Sequence, residues 1–217
     1  MMFVALTFDD GTLHQYSLLR LLHKLNIRAT IFCITNLKKH PDTNKKLLAS
    51  KPQKIYELYK MGHVIASHTC THPNLKFLTS EKLRKELEES KHMLENIIGD
   101  EVLGFAYPYS QYNGTVLEEV KKEYFYARGG TLPRDPLNMN IYDKYRISSI
   151  GVKKTIILPF GTTYKKNRNR ALIVIMMHDV PISIMYSLIL YLKMLFNPLF
   201  LTMKEIAFLI EERAIKK

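Results

Sequence analysis

A chain of 217 residues with 47% hydrophobic and 24% charged side chains has ordinary globular composition, which excludes a disordered polymer. Two cysteines, Cys33 and Cys70, are too few for a disulfide framework. The net charge of +12 raises nucleic-acid or anionic-surface binding, but the lysines are scattered and no zinc-finger or RNA-recognition signature accompanies them. The expectation is a basic solvated surface and no nucleic-acid partner.

The length suits one domain spanning residues 1–217. The run Phe3-Val4-Ala5-Leu6 predicts a buried strand, closed by Thr7-Phe8-Asp9-Asp10-Gly11. Leu18, Leu21, Leu22 and Leu25 at helical spacing predict a helix over 14–25, followed by a second strand, Ala29 to Ile34, with Cys33 a small core residue. Residues 38–54 read as a polar, basic surface loop with at most one helical turn, and 55–61 as a helix stopped by Gly62. A short strand from His63 to Ser67 runs into His68. The clearest helix spans 80–98 and ends at Gly99. Residues 102–106 predict a fourth strand, 113–123 a helix capped by Asn113 or Thr115, and 125–128 a fifth strand.

Residues 129–145 read as loop, 147–152 as a short strand, and 172–177 as a strand ending at His178-Asp179. The basic run Lys165 to Arg170 reads as a loop. The apolar stretch Ile182 to Phe200 is broken by Lys193, Asn197 and Pro198, so it predicts a buried helix, not a membrane span. Thr202-Met203-Lys204-Glu205 is a capping box opening the last helix. The N-terminus shows no signal peptide, so a cytoplasmic location is expected. Alternating strands and helices imply parallel βα units in one α/β domain of barrel type.

Three clusters follow strand ends, where such folds place ligands. Asp9 and Asp10 are adjacent carboxylates that must be hydrated, paired or metal-bound if buried. His68 and His72, four apart in Ser67-His68-Thr69-Cys70-Thr71-His72-Pro73, can meet one metal from a loop, with Cys70 a weaker third ligand. His178 is the third. Taken singly, each has an ordinary reading as a turn, a pair of surface histidines or a structural histidine. Taken together, two histidines and a carboxylate leave open positions on a divalent metal. A second carboxylate can take a proton from water, and a separate histidine can protonate a leaving group.

Thr7-Phe8-Asp9-Asp10-Gly11 followed by Ser67-His68-Thr69 and His72-Pro73 resembles the polysaccharide deacetylase family, the NodB-like domain of carbohydrate esterase family four. The resemblance covers nearly the whole chain and implies a distorted (β/α)7 barrel. It implies Asp9 as general base, Asp10, His68 and His72 as metal ligands, and His178 as general acid. The common Arg-Pro-Pro-Tyr motif is replaced here by Phe105-Ala106-Tyr107-Pro108-Tyr109, with Ala106 in the arginine's place. This resembles a subgroup in which an arginine of the following strand substitutes, and Arg128 is the candidate, against the alternative of a surface arginine. A guanidinium beside Asp9 would keep it ionised and oriented.

The resemblance further implies the Tyr109 N–H as oxyanion donor, with Tyr107, Pro108, Tyr109 and Tyr112 lining the cleft, although tyrosines that merely pack a loop read the same. The family's Asp-Trp pair has no counterpart in a chain without tryptophan, leaving Asp135, Asp143 and Asp179 as candidates to tune His178. The implied activity is metal-dependent hydrolysis of N-acetyl or O-acetyl groups on a carbohydrate, with zinc the default ion and cobalt, nickel or iron alternatives. Two other readings are a hydrolase of small cyclic amides on the same fold and an inactive glycan-binding barrel.

Overall fold

The computed structural model of the chain describes residues 2–131, 143–152 and 171–212. Its strands are β1 (Met2–Phe8), β2 (Thr30–Cys33), β3 (Val64–Ser67), β4 (Gly104–Ala106), β5 (Tyr126–Thr131), β6 (Ile147–Gly151), β7 (Ala171–Met177) and β8 (Leu199–Phe200). The helices are α1 (Leu13–Lys24), α2 (Pro52–Lys60), α3 (Ser80–Ile98), α4 (Gly114–Glu123), α5 (Ile182–Phe196) and α6 (Met203–Glu211).

Seven parallel strands close into a barrel because β1 is paired on both edges. One edge pairs with β7 from Met2↔Ala171 to Phe8↔Met177. The other edge is divided. Its lower half takes β8 at Phe3↔Leu199 and Val4↔Phe200, and its upper half takes β2 at Thr7↔Thr30 and Phe8↔Ile31. The barrel is therefore distorted at this seam, as the expected (β/α)7 architecture requires. Full pairing explains why Val4, Ala5, Leu6 and Phe8 are all buried, a continuous apolar run without alternation.

Several helices are delimited by chemistry visible in the sequence. Thr79 caps α3 by accepting the Lys82 N–H, and Gly99 at φ 70° ends it. Asn113, not Thr115, caps α4. Thr202 and Glu205 form the expected capping box of α6. A capping box not anticipated, Thr12 with Gln15, opens α1 directly after the Asp-Asp-Gly turn.

Two expectations need correction. Residues 38–54 are not simply a surface loop. Leu47 and Leu48 are fully buried, His40 is nearly so, and α2 begins already at Pro52, whose fixed φ suits the first helical turn. The stretch 182–200 is not one buried helix: α5 buries only Met185, Leu188, Ile189 and Leu192, Asn197 turns left-handed at its end, and β8 follows. No helix among the described residues is long and apolar enough to cross a membrane. The run 165–170 and Asp135 lie outside the described residues.

Candidate active site

Asp9 and Asp10 leave β1 at its carboxyl end. The Asp9 N–H donates to the Met177 carbonyl at 3.0 Å, and the Gln15 side chain donates to the Asp9 carbonyl at 2.5 Å. The α1 capping box thus fixes the turn from its far side. Asp10 and Gly11 follow at φ 76° and 69°. A Cβ on Gly11 would lie 3.1 Å from both Cα and Sγ of Cys33, so space as well as conformation calls for glycine there.

This turn separates the fates of two adjacent carboxylates. Asp9 Oδ2 accepts from Arg128 Nη2 at 2.5 Å, while Asp9 Oδ1 is buried with no hydrogen-bond partner. Arg128 is 1% exposed, and its other terminal nitrogen donates to the Gly129 carbonyl at 2.9 Å and to Ser149 Oγ at 2.8 Å. It is not a surface arginine.

Asp10 turns instead to a group of histidines. Its Oδ1 lies 3.5 Å from His40 Nε2, 3.7 Å from His68 Nε2 and 3.9 Å from His72 Nε2. Ligand atoms around a tetrahedral ion are separated by about 3.3 Å, so this spacing is close to what a bound cation requires. His68 Nδ1 donates to the Ala106 carbonyl at 2.8 Å, which leaves its Nε2 with a lone pair facing Asp10. His72 Nδ1 is buried without a partner. Burial, and then the neighbouring rings of His68, His40 and His178, push His72 down to about 2; burial also lowers His68. Both imidazoles are neutral at pH 7, the form that binds a cation. By distance Asp10, His40 and His72 form a set the size of a divalent-ion site, and His68 Nε2 stands 3.7 Å from the same Asp10 oxygen.

The histidine loop is held by groups that periodicity does not reveal. Glu86 on α3 accepts the N–H groups of Cys70 at 2.8 Å and Thr71 at 2.9 Å, and Thr69 Oγ1 accepts the His72 N–H at 2.9 Å. Among the described residues eight non-glycine positions have positive φ, and five of them (Asp10, Thr69, His72, Tyr109, Ser110) belong to this site. Such conformations persist only where surrounding contacts enforce them. Cys70 is not part of the metal-sized group: its thiol faces Thr35 Oγ1 at 3.6 Å, and burial pushes it up to about 11.

His178 follows β7 and is exposed, and it contributes to the depressed basicity of His72. Asp179 bonds Thr12 Oγ1 and pairs with Lys45 at 2.8 Å. Asp143 bonds the Tyr145 N–H and pairs with Arg146. The tyrosines divide. Tyr109 is 49% exposed, with its ring 4.6 Å from that of His72. Tyr107 is only 2% exposed, donates to the Tyr145 carbonyl at 3.0 Å and stacks on Tyr112. Tyr107 and Pro108 are both buried.

The family profile described as polysaccharide deacetylase matches residues 2–126, more than half of the chain. The chain belongs to the polysaccharide deacetylase family. It is 31% identical over 99 residues to the peptidoglycan-N-acetylglucosamine deacetylase of Bacillus cereus, a match covering 44% of this chain and 32% of that protein. The chain thus spans about a third of that relative's length. Among solved structures it is similar to the Xyl-CE4 domain of a multidomain xylanase from the hindgut metagenome of Trinervitermes trinervoides. That likeness has a TM-score of 0.67 and 22% identity, covering 98% of this chain and 91% of that one. It is also similar to a family pseudoenzyme from Bacillus anthracis, with a TM-score of 0.64, 15% identity and coverage of 94% and 65%. These likenesses show the fold; the family membership rests on the sequence profile.

Proposed function

We propose that the chain is a metal-dependent hydrolase that removes acetyl groups, chiefly N-acetyl, from an acetylated carbohydrate. The observation that carries this reading is the unequal environment of the Asp9 carboxylate. One oxygen is fixed by Arg128, and the other is buried and unpartnered next to the Asp10 and histidine cluster. An orphaned carboxylate oxygen is costly unless something arrives to use it, and a general base needs such an atom.

Asp10, His68 and His72 would hold the divalent ion, zinc by default and cobalt, nickel or iron as alternatives. Bound there, the ion would supply Lewis acidity toward the acyl carbonyl and acidify water. Asp9 Oδ1 takes the proton of the attacking water while Arg128 keeps the carboxylate anionic and aimed. The acyl carbon gains the water oxygen and loses the sugar nitrogen. His178 gives that nitrogen its proton, and the products are acetate and a free amine. The Tyr109 N–H is assigned to the developing oxyanion.

The test is acetate release from N-acetylglucosamine oligomers and from acetylated xylan by protein loaded with zinc or cobalt. Release that depends on the metal supports the reading. Metal uptake without release from either substrate would favour a small cyclic amide, and no metal uptake would favour a barrel that only binds glycan.

A further inference from the structure

His40 stands among the histidines yet is bonded differently from them. It begins an antiparallel turn between β2 and α2 in which Lys39 and Lys46 are bridge partners. The His40 N–H donates to the Lys45 carbonyl at 2.8 Å, and its carbonyl accepts from the Asn44 N–H at 2.9 Å. Inside this turn His40 Nδ1 receives two backbone N–H groups, those of Asp42 at 3.1 Å and Thr43 at 3.2 Å. A ring nitrogen that accepts carries no proton, so the neutral imidazole holds its proton on Nε2. That is the atom 3.5 Å from Asp10 Oδ1.

A protonated nitrogen has no lone pair to offer a cation. Distance alone groups Asp10, His40 and His72 as a metal-sized set. Hydrogen-bond accounting disagrees, because His68, not His40, donates through Nδ1 and keeps Nε2 free. The turn is also tied to the exposed aromatic of the site, since the Tyr109 hydroxyl donates to Asp42 at 2.8 Å. The segment that bears His40 is thereby locked over Asp10.

We propose that His40 is a hydrogen-bond donor and not a metal ligand: its Nε2–H is aimed at the anionic oxygen of an acyl group or acetate that enters beside Asp10. This rests on the hydrolase reading for the identity of the occupant. An imidazole donor on the β2–α2 turn adds to the backbone N–H of Tyr109 a second, side-chain contact to the acyl oxygen.

Two substitutions separate the donor from the turn. His40→Asn keeps an acceptor near the Nδ1 position and removes the donor, whereas His40→Gln carries an amide N–H to the Nε2 position. In cobalt(II)-loaded protein both variants are expected to hold as much metal as the wild type and to show the same visible absorption spectrum. Acetate titrated into these samples is expected to bind about tenfold more weakly to His40→Asn, and within about threefold of wild type to His40→Gln. Long-range nitrogen–proton NMR of the metal-free wild type is expected to show His40 as the Nε2–H tautomer. An Nδ1–H tautomer, a changed cobalt spectrum in either variant, or unaltered acetate affinity in His40→Asn overturns the proposal alone. A wild type that takes up no cobalt overturns the hydrolase reading, and the donor loses its target with it.

Discussion

Ala106 on β4 and Arg128 on β5 are register partners in the parallel pair, and the Arg128 guanidinium reaches Asp9 from there. A motif arginine at position 106 is therefore expected to reach the same place from the adjacent strand. Arg128→Ala should cost about 3–5 kcal/mol, because it strands the buried Asp9 carboxylate without its cation. The double variant Ala106→Arg/Arg128→Ala should recover at least half of that loss in urea unfolding. No recovery would mean that the two strand positions are not equivalent.

Asp9 and Asp10 should separate cleanly by function. Asp9→Asn is expected to lower the rate of acetate release by about 10²–10⁴-fold while metal content stays at the wild-type level. Asp10→Asn, His68→Ala and His72→Ala are each expected to lose the metal itself, read by plasma mass spectrometry. If Asp9→Asn lost metal as fully as His72→Ala, Asp9 would belong with the ligands and the base would need another residue.

Asp9, Asp10 and His68 were legible because each directly follows an apolar run that had to be a strand, and strand ends of a parallel barrel share one face. Arg128 was legible as a candidate because it lies on the strand after Ala106, although β5 continues past it to Thr131. His40 was not legible. Its burial comes from a turn built of lysine, asparagine and threonine, anchored by Leu47 and Leu48, and nothing in hydrophobic periodicity marks such a turn. Glu86 was hidden likewise, being one of many charges on α3 until the loop it caps is placed. Tyr107 was less legible for a different reason. A tyrosine ring serves a cleft or a core equally well, and the partner of its hydroxyl, the Tyr145 carbonyl, lies 38 residues away in sequence.

Gly11 should tolerate no side chain. Alanine there must adopt φ near 69° and bring its Cβ within 3.1 Å of Cys33 backbone and sulfur. The left-handed conformation costs about 1–2 kcal/mol for a residue with a Cβ, and the close contact adds to it. Gly11→Ala is therefore expected to destabilise the protein by about 2–3 kcal/mol in urea unfolding and to weaken metal binding, because Asp10 is the preceding residue. A Cys33→Ala background, which removes the sulfur, should relieve part of the loss but leave the conformational share. Full recovery in that background would show that the left-handed turn itself carries no cost.

Acid should act through His63 as well as through the lowered site histidines. Its ring is buried, with Nε2 bonded to the Leu19 carbonyl at 3.0 Å and Nδ1 accepting the Ala29 N–H at 3.2 Å, so it joins α1 to the start of β2 only when neutral. Burial pushes it down to about 4. A histidine lowered on folding takes up protons more readily unfolded, so stability rises with pH wherever the unfolded state binds the extra proton. The contribution is intact above the unfolded value of about 6.5 and is lost progressively as pH falls toward the folded one, amounting to about 2 kcal/mol between pH 7.5 and 5. Urea unfolding of wild type and His63→Gln at both pH values isolates this share, since the lowered His68 and His72 remain in each protein. The variant is expected to be less stable at pH 7.5 but to lose about 2 kcal/mol less on acidification. Equal losses in the two proteins would place the acid sensitivity in the metal-site histidines instead.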